Sequence, residues 1–256
     1  MSSPDGTGVR FLSKELIDET DALMHMAKDL LEADAAEVLA GLKSEIQIIG
    51  RRPAGATYGI RMLPLRTRPT RDYEAGSRSG GKEIYAKITG TWEVRPLESR
   101  RPKTKLAFMG KASTVVEIWP KPCMWREEHC LASRLAMWRF ELGSADSPGC
   151  YFHAQALGDR AEPPFPKSIP VPRLPSPFVT PMAAVEFVLG ELFQDEWERR
   201  ARESSHHHKR WRTIQRQRWL SLLDWQKKVL DERTSSPWMS LKLAKPPADL
   251  FLAGSK

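Results

Sequence analysis

Residues 84–95 alternate strictly between two kinds of side chain, and this period of two decides what the middle of the chain can form. One set is apolar or small: Ile84, Ala86, Ile88, Gly90, Trp92 and Val94. The intervening set is mostly polar or charged: Tyr85, Lys87, Thr89, Thr91, Glu93 and Arg95. Because successive side chains of a strand point to opposite faces, the pattern predicts a long strand with one buried face.

Other segments with strand character lie on both sides of it. We expect strands at 45–48, 58–62, 106–119, 135–142 and 151–157. Their connections are short or rich in turn residues, which favours antiparallel neighbours. The middle of the chain is therefore predicted to form an antiparallel meander of about six strands.

An N-terminal helix is predicted before the meander. Ser13 is a suitable N-cap, and apolar residues recur at helical spacing from Lys14 to about Leu42. Asp34 is a point where this helix could divide into two pieces. Residues 1–12 are expected to be disordered.

Two further helices are predicted near the C-terminus. Thr180 followed by Pro181 combines a good N-cap with a first-turn proline, and this helix is expected to continue to about Glu203. The second is expected from about Lys209 to Glu232. The tail at 234–256 has little periodicity and is predicted to be an extension or a docking peptide.

Residues 161–181 carry eight of the twenty prolines in the chain. Proline fixes φ and lacks an N–H, so this segment is predicted to be an extended strap between sheet and helices. The resulting fold class is α+β, with an N-terminal helix, the meander, a proline-rich crossover and two C-terminal helices packed on the sheet. Residues 13–160 would form the helix and sheet domain, and residues 182–233 a helical hairpin.

Composition excludes several classes of protein. No apolar run approaches the roughly 18 residues that a membrane span needs, and the N-terminus lacks the pattern of a secretory signal. Three cysteines, widely spaced, argue against a disulfide framework and favour a reducing cytoplasm.

Motifs for common catalytic and metal sites are missing from the sequence. There is no GxxxxGK[ST], GxSxG or HExxH. Cys123, His129, Cys130, Cys150 and His153 do not have the paired short spacing of zinc ligands. We therefore expect no metal site and no cofactor.

The net charge of +8 is unevenly distributed. Residues 1–43 carry four Lys/Arg against nine Asp/Glu, a balance of −5, and residues 44–122 carry sixteen against seven, a balance of +9. The acidic start indicates either docking within the chain or a polyanionic partner for the basic middle.

Topology predicts where the cations of the middle segment lie. In an up-and-down meander the first and third turns share one end of the sheet. Seven cations fall in or beside these turns: Arg51, Arg52, Arg95, Arg100, Arg101, Lys103 and Lys105. The long connection at 64–82 is expected at the opposite end.

The segment His206–Trp219 contains five cations, three imidazoles and two indoles without a carboxylate. Helical geometry puts Lys209, Arg212 and Arg216 on one stripe, a suitable arrangement for phosphate. Trp211 and Trp219 could belong to the core or contact a partner. Arg218 falls within the apolar stripe, so it either pairs with a carboxylate there or this face meets a partner.

One hairpin carries groups that could perform chemistry. A turn at 143–149 would place Glu141 opposite Tyr151 and Arg139 opposite His153, all on one face. An imidazole to move protons and a guanidinium to hold phosphate would suit metal-independent phosphodiester cleavage. The alternative interpretation is a polar sheet surface with cross-strand pairs.

The order of elements is similar to that of ubiquitin-conjugating folds, with Cys123 after the fourth strand. No His-Pro-Asn element precedes that cysteine, and the long basic hairpins depart from the pattern, so the resemblance implies no activity.

These observations favour a non-enzymatic subunit that binds nucleic acid, a larger protein subunit, or both, within a cytoplasmic and bacterial assembly such as a defence system. The alternatives are a small ribonuclease or toxin-like phosphodiesterase using the hairpin, and a protein-docking scaffold.

Overall fold

The computed structural model describes residues 8–71, 73, 83–98, 104–121, 134–143, 150–156, 173–232 and 234–252. Several predicted features lie outside these residues: most of the proline strap, much of the 64–82 connection, the 144–149 turn, and Arg100, Arg101, Lys103, Cys123, His129 and Cys130. Within the described residues the chain forms seven strands and five helices. None of these helices is long and apolar enough to span a membrane.

The strands are β1 Arg10–Leu12, β2 Tyr58–Arg66, β3 Ile84–Glu98, β4 Lys105–Pro120, β5 Ala136–Leu142, β6 Phe152–Ala156 and β7 Leu174–Pro175. The helices are α1 Ser13–Met26, α2 Ala35–Ile49, α3 Pro181–Ala201, α4 His206–Glu232 and α5 Pro237–Leu243.

The strands form one antiparallel sheet in the order β2-β3-β4-β5-β6-β7. The short β1 pairs with β4 at residues 105–107, beyond the part of β4 that β5 covers. Helices precede and follow most of this sheet along the chain, so the predicted α+β class with an antiparallel meander is confirmed.

The first predicted strand is wrong, because residues 45–48 belong to the end of α2. Leu39, Leu42, Ile46 and Ile49 are buried and recur every three or four residues, which is the period of a helix. Ile48, on the other side, is 51% exposed. A four-residue alternation fits a helix as well as a strand, and the longer period prevails. The break near Asp34 is real, since Asp34 is the N-cap position of α2.

The N-terminal segment and the C-terminal tail both contribute to the core. Phe11 in β1 packs edge-on against Phe108, with ring centroids 4.9 Å apart, and stacks on Phe251 at 5.0 Å. Residues 10–12, expected to be disordered, are instead a strand, because Phe11 is a large apolar side chain that the sheet edge can bury.

A single core joins the sheet to the helices. The inner faces of β2, β3 and β4 pack against α1, α2 and α3, and α4 packs on α1. Thr180 caps α3 as predicted, because its Oγ1 accepts a hydrogen bond from the Ala183 N–H at 3.3 Å. The C-terminal helices therefore share a hydrophobic core with the sheet.

A buried ion pair fastens α4 to α1. Arg218 donates through Nη1 to Oε2 of Glu19, and the two side chains are 3% and 1% exposed. Gln215 donates to the same oxygen at 2.9 Å and Thr180 at 3.3 Å. The Arg218 guanidinium also lies 5.1 Å from the centre of the Phe11 ring. Of the two alternatives for Arg218, pairing with a carboxylate is the one observed.

Gly90 provides room for a core indole, which yields a stability prediction. A Cβ at Gly90 would lie 2.7 Å from Cζ2 of Trp92 on the same inner face of β3. We expect Gly90→Ala to lower the free energy of unfolding by roughly 1–3 kcal/mol through overpacking. Gly59→Ala is the matched control, since a Cβ there meets nothing within 4 Å. Urea unfolding measures both, and equal losses would contradict the prediction.

The ion pair predicts strong non-additivity. Glu19→Leu leaves a buried guanidinium unpaired and Arg218→Met leaves a buried carboxylate unpaired, so each is expected to cost about 3–5 kcal/mol. The double variant removes both charges, and its stability is expected to lie within about 1 kcal/mol of the wild type. A double-mutant cycle by urea unfolding tests this, and additive losses would show that the two side chains do not act as a pair.

Candidate nucleic-acid interface

An open groove of about 870 Å³ runs between α3 and α4. We call it the α3–α4 groove. Its cations are Lys209, Arg212 and Arg216, and its aromatic residues are Phe178, Phe187, Trp211 and Trp219. Glu186, Thr213 and Gln215 complete the lining.

The spacing of residues on α4 explains this grouping. Lys209, Arg212, Arg216 and Trp219 follow one another at intervals of three, four and three residues, so they lie along one face of the helix. The neighbouring stripe, which includes Trp211 and Arg218, is buried. The predicted cationic stripe therefore lies along the groove, and the buried stripe beside it holds α4 against the core.

The three groove cations differ from one another in the contacts that they make. Within the described part of the chain, Lys209 and Arg216 have no ion-pair partner and are exposed. Arg210 on the same helix turn, by contrast, pairs with Asp18 at 2.6 Å. Arg212 donates through Nη1 to the carbonyls of Ala201 at 2.8 Å and Glu203 at 3.0 Å. Arg212 thus closes the C-terminal end of α3 and is held at the groove, while Lys209 and Arg216 remain available.

The aromatic side of the groove is supported from the core. Phe178 contacts Phe187 with ring centroids 4.7 Å apart and Trp219 at 6.1 Å. The buried Phe140 of β5 contacts both phenylalanine rings, at 5.3 Å and 5.8 Å. Trp219 is 38% exposed, so part of its indole is free to stack on a ligand.

One carboxylate lies among these cations and rings. Oε1 of Glu186 accepts a hydrogen bond from the Trp211 indole N–H at 2.8 Å. Burial raises the pKa of Glu186 above its ordinary value of 4.5, the Trp211 hydrogen bond partly opposes this, and the charge of Glu19 raises it further. No described residue donates a hydrogen bond to Oε2 of Glu186.

A second set of predicted cations lies at the end of the sheet. Tyr58 pairs with Val94, and the Arg52 guanidinium lies 6.0 Å from the centre of the Tyr58 ring. The Arg95 guanidinium donates to Thr57 at 3.5 Å. Arg51, Arg52, Arg95 and Lys105 therefore share one end, although Arg51 and Arg52 follow a helix and not a strand. Like the groove cations, these four have no ion-pair partner among the residues that are described.

The two basic sets are separated along α1. A Cβ at Gly50, which precedes Arg51, would lie 3.5 Å from Ser13 at the start of α1. At the other end of α1, His25 stacks on His207, close to Lys209, with ring centroids 4.3 Å apart. Residues 13 and 25 of a helix are roughly 18 Å apart. The sheet-end cations and Lys209 therefore form separate clusters.

The acidic N-terminal segment docks within the chain. Asp18 pairs with Arg210, Glu19 with Arg218, and Asp29 with Arg200 at 3.1 Å. These arginines belong to α3 and α4 and not to the basic middle of the sequence. Three N-terminal carboxylates thus neutralise cations of the C-terminal helices, while Asp34 pairs with Arg66 of the basic middle at 4.0 Å. Among the described residues none of these four carboxylates pairs with a groove cation.

The hairpin site has a different register from the one predicted. Glu141 lies opposite His153 and Arg139 opposite Gln155, whereas Tyr151 precedes β6. The predicted pairings of Glu141 with Tyr151 and of Arg139 with His153 are wrong by two residues. A shift of two preserves the face, so Arg139, Glu141 and His153 still meet on one side of the sheet.

These side chains satisfy one another. His153 is 2% exposed, its Nδ1 lies 2.7 Å from the Cys150 carbonyl oxygen, and its Nε2 lies 3.2 Å from Oε2 of Glu141. Arg139 contacts Glu141 at 3.0 Å and donates to Gln155 at 2.8 Å. Both imidazole nitrogens have protein partners, so neither is free to exchange a proton with a substrate in this arrangement. Tyr151 is engaged elsewhere, as its hydroxyl accepts from the Val9 N–H at 3.3 Å.

The three residues predicted to contact a partner, Trp211, Arg218 and Trp219, differ in their exposure. Trp211 and Arg218 are buried, so neither reaches a partner in this conformation. Trp219 alone of the three is exposed.

Comparisons of this chain with models of known families, with curated proteins and with solved structures find no significant match. Function must therefore be inferred from the groove itself.

Sequence reasoning missed Glu186 and Phe187 as functional candidates. Both follow the buried Val185 on α3, but their position opposite α4 depends on how two separate helices pack. The position of Glu186 directly after a buried residue of α3 was the sign in the sequence that could have indicated a functional carboxylate.

The hairpin network predicts an acid-dependent stability effect. Burial works to raise the pKa of Glu141, but the His153 hydrogen bond and the charges of Arg139, His153 and Arg173 outweigh it, so that pKa lies below 4.5. A carboxyl with a lowered folded-state pKa contributes stability above its ordinary value, and that contribution is lost as pH falls through the folded value. Glu141→Gln should therefore lower stability at neutral pH and flatten its decline in acid. Exposed Glu37→Gln is the control for urea unfolding across pH, and identical profiles would contradict the prediction.

Proposed function

We propose that this protein binds single-stranded nucleic acid in the α3–α4 groove, with its phosphates on Lys209, Arg212 and Arg216 and its bases against Trp219. The main support is that the groove combines three cations with a set of aromatic rings. None of these cations has an ion-pair partner among the described residues. Single-strand binding proteins combine the same two components, a positive groove that follows the backbone and rings on which bases stack.

The size and shape of the groove favour an unpaired strand. Its volume of about 870 Å³ lies within the ~300–1,000 Å³ range of ligand sites, which suits a few nucleotides. In a duplex the bases are already stacked on one another and cannot reach Trp219. A single strand can turn its bases onto the indole.

Catalysis forms no part of the proposal. The groove cations have the role of holding phosphate, and the protein would contribute binding to a larger cytoplasmic, bacterial assembly. Leu220, Leu223 and Leu230 on α4 are 50%, 51% and 40% exposed. Exposed leucines along one helix are typical of a surface that contacts another protein, and we assign the predicted larger subunit to this part of α4.

Salt dependence is the first test. Three phosphate contacts to a single strand give an expected slope of about −2 for log K against log salt concentration. Lys209→Ala with Arg216→Ala should weaken binding and reduce that slope by roughly 1.4. Arg212 is left in place because it closes the end of α3. Fluorescence anisotropy with a short labelled oligonucleotide measures both quantities.

The control removes the same charge elsewhere. Lys28 and Lys245 are exposed and lie outside the groove lining. Lys28→Ala with Lys245→Ala should leave the slope close to that of the wild type. The proposal is refuted if the wild type shows no salt-dependent binding, or if both double variants change the slope equally.

The indole provides a second, independent test. Loss of a base-stacking platform costs about 1–3 kcal/mol, or roughly 5- to 150-fold in affinity, so Trp219→Leu should weaken single-strand binding by that factor. Trp238→Leu is the matched control, because Trp238 is 44% exposed and lies on α5, outside the groove. Equal losses in the two variants would count against stacking on Trp219.

A further inference from the structure

Glu186 is unexpected in a groove that binds a polyanion. The half-buried Glu186 lines the same groove as Lys209, Arg212 and Arg216, and repulsion between a carboxylate and phosphate would weaken binding. The hydrogen bond from Trp211 satisfies Oε1, whereas Oε2 would gain a partner from a ligand that offers hydrogen-bond donors. This reasoning rests on the proposed function, since it concerns the same groove.

The geometry of Glu186 limits which donors it can accept. Trp211 occupies one lone pair of Oε1 and fixes the orientation of the carboxyl. Oε2 has no donor among the described residues. A carboxylate is only an acceptor, and each oxygen has two lone pairs, so Glu186 can still accept two parallel hydrogen bonds from one ligand edge.

The four bases differ in what they present to such a group. The Watson–Crick edge of guanine carries two adjacent donors, N1–H and the 2-amino group. Adenine and cytosine place a ring-nitrogen acceptor beside their amino group, and thymine or uracil places its single N–H between two carbonyl oxygens. An adjacent acceptor repels a carboxylate, so guanine fits Glu186 best.

We propose that Glu186 recognises guanine in the single strand and makes the α3–α4 groove selective for it. The guanine ring stacks on the exposed face of Trp219, its N1–H and 2-amino group donate to the Glu186 carboxylate, and the neighbouring phosphates bind Lys209 and Arg216. Phosphate contacts position the strand and the base edge provides the selection.

Three single strands that differ at one base test this. Each is a short thymine strand with guanine, adenine or hypoxanthine at its centre, and hypoxanthine is guanine without the 2-amino group. The wild type should bind the guanine strand about tenfold more tightly than the adenine strand, with hypoxanthine between them. Equal affinity for all three strands overturns the proposal.

Glu186→Gln provides the decisive variant. The amide keeps the size of the side chain and can still accept from Trp211, but it also presents a donor that clashes with one of the guanine donors. Loss of the negative charge should raise affinity for every strand, so the measured quantity is the ratio between guanine and adenine strands, which is expected to fall close to one. Exposed Glu191→Gln on α3 removes the same charge and should retain the wild-type ratio.

The outcomes separate the two proposals. Salt-dependent binding without a guanine preference, or a preference that Glu186→Gln leaves unchanged, overturns the role of Glu186 alone. Absence of salt-dependent binding to any of the strands overturns the single-strand function as well.

Discussion

The position of α4 depends on the buried pair between Glu19 and Arg218. Both side chains lie in a low-dielectric core, where either charge alone would be strongly unfavourable, so α4 can pack on α1 in only one rotation about its axis. That rotation buries Trp211 and turns Lys209 and Arg216 outward. The orientation of α4 on α1 and the exposure of the groove cations thus have a common origin.

Much of the fold follows from periodicity. Residues 84–95 alternate over twelve positions and can bury one face only as a strand, and Thr180 with Pro181 starts a helix by local geometry alone. The short alternation around Ile46 was ambiguous, because four residues fit a strand as well as a helix. The packing of α2 against β2 and α1 determines that this segment is a helix. Phe11 gave no signal of order by itself, since its partners Phe108 and Phe251 are distant in sequence.

The candidate site was predictable in part. Cations and indoles on α4 share a face because helical spacing is local, and sequence shows it. Their environment is not local. Three features depend on the packing of helices: the pairing of Arg218, the burial of Trp211 and the presence of Glu186 and Lys209 in one groove. The prediction of the hairpin register was wrong because the alternation within each strand fixes the face of a side chain but not the residue opposite it.

Contacts between β1 and the last described residues have a consequence for biosynthesis. The Arg10 N–H bonds to the Ala248 carbonyl at 2.8 Å, and Phe11 stacks on Phe251. The interior around Phe11 therefore stays incomplete on the ribosome until residue 251 has left the exit tunnel. Earlier segments can collapse during translation, but the native packing around Phe11 is reached only after residue 251 has been synthesised, and until then the nascent polypeptide exposes apolar surface that chaperones recognise.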